Sequence, residues 1–268
     1  MPATRRSAGP IYVEARIRAP MDLIWDLTQI PHEHQRWDAR FTRITYAADA
    51  SAQSGEVAAT PVVRFRYLLG LPCGPALRGT GVTAAERRRP DGSRISALRF
   101  RSDHALSPLQ EGSGYWRYTP ADSASDGTVL FVTGYDYRSW RWPGGTALDR
   151  CFVRPFVGWL TAWSFDRLRL WAERGVAPER ALLHAAAETS VRLAVAAAAA
   201  FLTAGRTGVA VGALTGGAVL LLLALVPPSP LTPAARRCAR KPARDTAGRK
   251  ALGRRPRPPR LLTTLENP

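Results

Sequence analysis

Residues 31–38, PHEHQRWD, place His32 and His34 two positions apart with Glu33 between them. Imidazole and carboxylate together are the raw material of a metal centre. On a helix, however, residues two apart point about 200° away from each other, so a shared metal would need extended backbone here. No third ligand is evident nearby. The reading adopted is an exposed helical turn that carries Trp37 inward, with no metal site and no cofactor. Other chemistries lack their local motifs: there is no GxSxG, no phosphate-binding glycine loop and no local Cys–His pairing. Cys73, Cys151 and Cys238 form no CxxC and leave one thiol over in any pairing, which argues against a disulfide framework.

The elements that would position any site fall in two regions of different composition. Seven of the eight tryptophans and all seven tyrosines precede Phe165, while Ala, Leu and Val dominate after Leu182. IYVEARIRA (11–19) alternates apolar and polar residues as a half-buried strand does, and Pro20 ends it. PMDLIWDLTQI spaces Leu23, Ile24 and Leu27 as a helix, and a second short helix starts at Pro31. From RFTRITYA to Trp140 the chain reads as antiparallel strands, with RPDGSR a turn between two of them. In the last strand Val129, Phe131, Thr133, Tyr135 and Tyr137 share a face. Residues 146–174 then form a long helix, capped by Gly175, whose Leu148, Phe152, Phe156, Trp159, Trp163 and Leu170 make a stripe expected to bury against the sheet.

This order is α+β, and over roughly residues 8–175 it resembles the helix-grip fold of the START-like, polyketide cyclase/dehydratase (SRPBCC) superfamily. VEARIRAPMDLIWDLTQIPHEHQRWDARFTRITY and RCFVRPFVGWLTAWSFDRLRLWAE carry the resemblance. It implies a curved antiparallel sheet around the long helix and a hydrophobic cavity between them for a lipid-like or polycyclic ligand. Trp25, Trp37, Phe65, Tyr67, Trp116, Tyr118, Thr133, Tyr135, Tyr137, Trp159 and Trp163 are the residues placed around that cavity. Core packing accounts for the aromatic ones almost as well. Cyclases and dehydratases of the superfamily use an acid or base in the cavity, for which the candidates here are His104, Asp103, Glu111 and Arg40, with tyrosines as hydroxyl donors; none sits in a spacing that demands chemistry. YRSWRWPGG, with Trp140 and Trp142 among arginines, is either a gate touching lipid or a packed loop.

The second region is hydrophobic. Thr207–Val226 is twenty residues without a charge, enough to span a bilayer. The preceding Leu193–Ala204 is short alone, and extending it back admits Glu188 and Arg192, which are i, i+4 partners. One crossing or two are open; a helical hairpin over 182–226 is favoured because it keeps the basic tail inside. In that reading AGRTG is the external turn, with Gly205 capping the first helix. Residues 227–268 carry eleven Arg or Lys against Asp245 and Glu266, about half of the net charge of +17, and read as a disordered Pro/Arg-rich tail that meets anionic lipid headgroups. With no aromatic residue in that tail on which a base could stack, specific nucleic-acid binding is not expected. The amino-terminal stretch has no apolar run of a secretory signal.

The expected function is a domain at the inner face of the cytoplasmic membrane, domain and tail both cytoplasmic, binding a hydrophobic small molecule or lipid. The alternatives are a cyclase/dehydratase-like enzyme and a regulatory or scaffold membrane protein.

Overall fold

The computed structural model describes residues 9–46, 62–70, 76–102, 104–121, 127–140, 142, 144–242, 258–265 and 267–268. Seven strands, β1 (Ile11–Arg18), β2 (Arg43–Tyr46), β3 (Val62–Leu69), β4 (Leu77–Glu86), β5 (Arg94–Arg101), β6 (Glu111–Pro120) and β7 (Thr128–Arg138), form one antiparallel sheet in the order β1-β7-β6-β5-β4-β3-β2. Helices α1 (Met21–Gln29) and α2 (Pro31–Trp37) are inserted between β1 and β2. The chain after β7 enters α3 (Gly145–Leu148), runs through one π-helical turn, Asp149–Val153, and continues as α4 (Arg154–Arg174). Gly175 ends α4 in the left-handed conformation, φ 65°, its N–H reaching the carbonyls of Leu170 and Trp171.

Alternation decides which side of each strand is dry. Ile11, Val13, Ala15 and Ile17 pair in register with Tyr135, Thr133, Phe131 and Val129, and this face meets α4 through Val157, Ala162, Phe165 and Leu168. Phe131 and Phe165 stack with centroids 4.4 Å apart. The core therefore lies under β1, β7 and β6. Burying residues of this size contributes about 1.5–3 kcal/mol each before entropy is counted.

Only part of the stripe predicted to bury does so: Leu170 is fully buried and Trp163 packs against the core. Phe152, Phe156 and Trp159 are exposed, as is Leu148 of α3. The packed face carries smaller residues, Val157, Thr161, Ala162 and Ser164, alternating with Phe165 and Leu168. The helix has two apolar stripes at 3- and 4-residue spacing, and close approach to a strand favours the one with small side chains.

Helix α5 (Pro178–Thr207) and helix α6 (Val209–Leu225) form an antiparallel pair. By length and composition α5 can cross a membrane, while α6 has 17 residues. Their seam is made of small residues: a Cβ built at Gly212 would stand 2.6 Å from the Ala200 carbonyl oxygen, and one at Gly216 2.8 Å from the Ala200 Cβ. Helix α5 ends at Thr207, three positions past Ala204, where the sequence predicts the turn to begin. Gly205 and Arg206 are still helical, and Gly208, with φ 98°, makes the reversal.

Residues 227–242, expected as part of a disordered tail, pack back on the domain. Asp166 on α4 is fully buried and accepts from Ala234 N at 2.8 Å, Arg237 Nη1 at 2.9 Å and Arg169 Nε at 2.7 Å. Ala239 then pairs with Glu14 at the edge of β1. Farther on, α7 (Arg260–Thr264) sets Leu262 and Leu265 against Val82, Ala84 and Ala97 on the sheet face opposite α4. An average over a basic, Pro-rich segment conceals both anchors, one a buried carboxylate that needs cations, the other a pair of leucines.

Candidate functional site

Because α4 lies over β1, the strands farther along the sheet are left uncovered on that side. There Phe65, Tyr67, Thr83, Ser96, Leu98, Phe100, Trp116, Thr133 and Tyr135 form one wall of a pocket. Thr28, Gln29, Pro31, His34, Arg40, Phe41, Ile44 and Tyr46 form the other. About 950 Å³ between them is free of protein atoms, the open mouth included, and a water-sized centre can move through about 100 Å³ of it. The space is a slot between the two walls, open to solvent at its mouth. Glycines shape its floor: Gly81 stands opposite Phe65, Gly79 opposite Tyr67 and Gly112 opposite Phe100, and a side chain at any of the three would collide with the ring beside it. The rings lie flat across the neighbouring strand because there is no Cβ to lift them.

One charged group of three lies in this apolar setting. Asp38, fully buried just past the end of α2, has extended backbone, φ −88° and ψ 100°. That turn lets Arg40 fold back on it, Nε to Oδ1 at 2.9 Å and Nη2 to Oδ2 at 2.6 Å. His34 Nε2 lies 3.1 Å from Asp38 Oδ2. Burial opposes ionisation of Asp38, but the Arg40 charge and the hydrogen bonds from Arg40 and His34 outweigh it and hold the carboxyl well below the usual range. Burial pushes the His34 pKa down, against the pull of Asp38. The group is therefore a neutral imidazole, a carboxylate and a guanidinium. Since the carboxylate only accepts, Nε2 carries the imidazole proton and Nδ1 is left as an acceptor. The imidazole is stacked on Trp37 and edge-on to Trp116, centroids 5.1 and 4.9 Å away. His34 is thus a wall residue, not part of an exposed turn; His32, two residues before, is exposed. Among the described residues no three His, Cys, Asp or Glu side chains converge.

The residues proposed for the cavity separate into groups. Phe65, Tyr67, Trp116, Thr133 and Tyr135 line the pocket. Trp25, Trp37, Tyr118 and Tyr137 lie in the core behind it. Trp37 donates its indole N–H to Leu27 O at 2.8 Å, Tyr118 shares a 2.7 Å hydrogen bond with Thr28, and Tyr137 donates to Asp149 at 2.7 Å. Trp159 is exposed, and Trp163 lies under the Arg167 guanidinium, whose Cζ stands 5.0 Å from the Trp163 ring centroid. Of the acid–base candidates, Arg40 lines the pocket. His104 lies in a separate surface hollow with Arg43, Arg66 and Arg78. Glu111 is exposed and pairs with Arg138, and Asp103 lies outside the described residues. His34 and Asp38 were missed as a pair; their i, i+4 spacing at a helix end, followed two residues later by Arg40, is the signal that could have found them.

A sheet with β1 beside β7, two short helices after β1 and a closing helix that leaves a lined pocket is the arrangement the sequence resembles. The fold is the helix-grip fold of START-like domains. No family model matches the chain. It is 38% identical over 171 residues to the uncharacterized membrane protein YndG of Bacillus subtilis (strain 168), a match covering 64% of this chain and 60% of that protein. Similar solved structures include the Zhui aromatase/cyclase from Streptomyces sp. R1128, with 13% identity and TM-score 0.43, covering 63% of this chain and 98% of that one. Another is the lipid transfer and protein localization domain of human StarD13, with 13% identity and TM-score 0.41, covering 61% and 76%.

Proposed function

We propose that the helix-grip domain binds a hydrophobic small molecule or lipid in this pocket, and that α5 and α6 hold it at a membrane as a hairpin with the domain on the cytoplasmic side. The observation that carries the binding reading is the slot itself. Its walls are largely aromatic and aliphatic, and Arg40 and the lining hydroxyls are already held by partners within the protein, so the polar groups are few in kind and oriented, which is how ligand sites are built. The ligand that fits is slender and apolar, with a polar end able to meet the Arg40–His34 corner.

The anchor reading rests on where the hairpin ends. Arg192 Nη1 donates to Leu223 O at 2.7 Å, Ser229 N to Glu188 at 3.1 Å, and the chain then returns to Asp166. Both ends of the hairpin therefore stand on the domain's side. Helix α6 is about 26 Å long at 1.5 Å per residue, close to the roughly 30 Å hydrocarbon core.

Titration of the full chain with an apolar fluorescent probe tests the binding reading, with a pocket-filling Ser96→Trp variant as control. Saturable binding by the wild type and its loss in the variant are expected. Equal binding by both proteins would show the probe to be elsewhere and remove the basis for the reading.

A second reading is favoured by one specific observation, the His34 imidazole in the pocket wall with its orientation fixed by Asp38. A cyclase/dehydratase-like reaction needs a base beside an activated C–H, and His34 Nδ1 has that form. The test is deuterium exchange at the α-carbon of a bound β-diketone in heavy water, compared with His34→Gln. Exchange no faster than in the variant excludes the reading and leaves binding untouched.

A further inference from the structure

The outward stripe of α4 has no part in the pocket. Phe152, just before α4 in the π-helical turn, and Phe156 and Trp159 on the helix follow one another at steps of four and three, 70%, 59% and 42% exposed. The Phe156 and Trp159 rings stack, centroids 6.1 Å apart. Toward the carboxyl end of α4 the returning chain closes over Asp166; toward the amino end the aromatic side chains stay bare. Large apolar side chains grouped on a surface mark a contact.

The charge beside the stripe says what kind. Pro155 and Gly158, on the same turns, line a surface hollow with Arg150, Arg154, Arg240 and Lys241. Arg154 is engaged by Asp136 and Asp149. Arg150, Arg240 and Lys241 are exposed, and among the described residues no carboxylate pairs with them. A symmetric contact with a second copy through this face would bring these cations together. An anionic phospholipid surface complements both features, since aromatic rings settle at headgroup depth and cations meet the phosphates.

We infer that the amino end of α4 is a peripheral docking face for an anionic phospholipid surface, formed by Phe152, Phe156 and Trp159 with Arg150, Arg240 and Lys241. The hairpin follows the other end of α4, about 31 Å along that helix, so this face is a contact separate from the anchor.

Cys151 supplies the probe, because it is exposed and adjoins Phe152, while Cys238 is buried and its thiol is pushed up to about 12. The full chain carrying Cys73→Ser, with an environment-sensitive fluorophore on Cys151, is reconstituted in phosphatidylcholine vesicles with and without phosphatidylglycerol. A blue shift with phosphatidylglycerol only is expected. It should be reversed by salt and lost in Arg150→Glu/Lys241→Glu and in Phe156→Ser/Trp159→Ser, while binding of the apolar probe in the pocket is unchanged. The same emission in both vesicles, or a shift retained in the charge-reversed variant, overturns the inference. So does cross-linking of Cys151 between copies by a bismaleimide in neutral vesicles, which identifies a second copy as the occupant. Loss of flotation with neutral vesicles counts against the hairpin anchor alone, and the fluorophore then reads docking from solution.

Discussion

Arg40 grips Asp38 with two parallel hydrogen bonds, 2.9 and 2.6 Å, at the boundary between the core and the pocket. The carboxylate has no exposed surface. Its charge is balanced chiefly by Arg40, with Arg167 also acting on it through space, since burial disfavours a charged His34. The corner is therefore structural for Asp38 and available for recognition at Arg40.

Removing one partner of a buried pair leaves the other uncompensated, which costs about 3–5 kcal/mol. Asp38→Asn is expected to lower stability to denaturant by that order. Replacing both residues with apolar ones of similar size, Asp38→Leu/Arg40→Met, should cost less than Asp38→Asn alone. A double variant as damaged as the single one would show that the loss comes from packing rather than from an orphaned charge.

The histidine gives a pH signature whose sign is fixed. Burial lowers the folded-state pKa of His34 below the roughly 6.5 of an unfolded chain. The unfolded state then binds the proton first, so the contribution is complete above that value and is lost progressively as pH falls below it. The slope from one such group is at most about 1.4 kcal/mol per pH unit. His34→Gln, measured by unfolding between about pH 7 and pH 5, across the range in which an ordinary imidazole titrates, should flatten this part of the profile. An unchanged profile would assign the effect to another group.

Gly81 tests the shape of the slot without touching its chemistry. A side chain there collides with the Phe65 ring, and the ring can leave only toward the pocket. Gly81→Val is expected to keep the sheet, since β-branched residues suit strands, and to weaken apolar-probe binding at least tenfold. Full binding by a folded Gly81→Val chain would place the probe outside this slot.

What was legible in the sequence was the period of each element. The alternation of Val129, Phe131, Thr133, Tyr135 and Tyr137 gave the inner face of β7 because a strand has only two faces to choose from. Helix α4 offers more than two, and both its aromatic and its small-residue stripes keep the helical period, so Phe152, Phe156 and Trp159 were assigned to the core that Val157, Thr161 and Phe165 occupy. Glycines opposite aromatic rings were invisible because Gly81 and Phe65 meet only through strand register. The Asp38–Arg40 pair depends on one extended residue after a helix, a conformation that composition does not report. The docked segment at Asp166 was hidden for the same reason, since it is fixed by a single buried carboxylate far away in the chain.

The hairpin makes a prediction about sides that does not depend on which way the domain faces. Its two ends converge at Arg192, Leu223 and Ser229, and its reversal lies at Gly208, beyond Arg206. If the pair spans the bilayer, Arg206 reaches the far surface while Cys151 remains with the domain. In sealed vesicles of one orientation, an impermeant thiol reagent should modify either Cys151 or the cysteine of Arg206→Cys, the latter in a Cys73→Ser/Cys151→Ser background, but never both. A cysteine at Ala239, which pairs with Glu14 on β1, should follow Cys151. Gly216→Leu would force Ala200 and Ala196 away from the seam and should expose the position 206 cysteine irregularly by spoiling the close packing. Labelling of positions 151 and 206 from the same side of intact vesicles would mean that the hairpin lies on the membrane or within one leaflet. The anchor would then be peripheral, with the pocket reading unaffected.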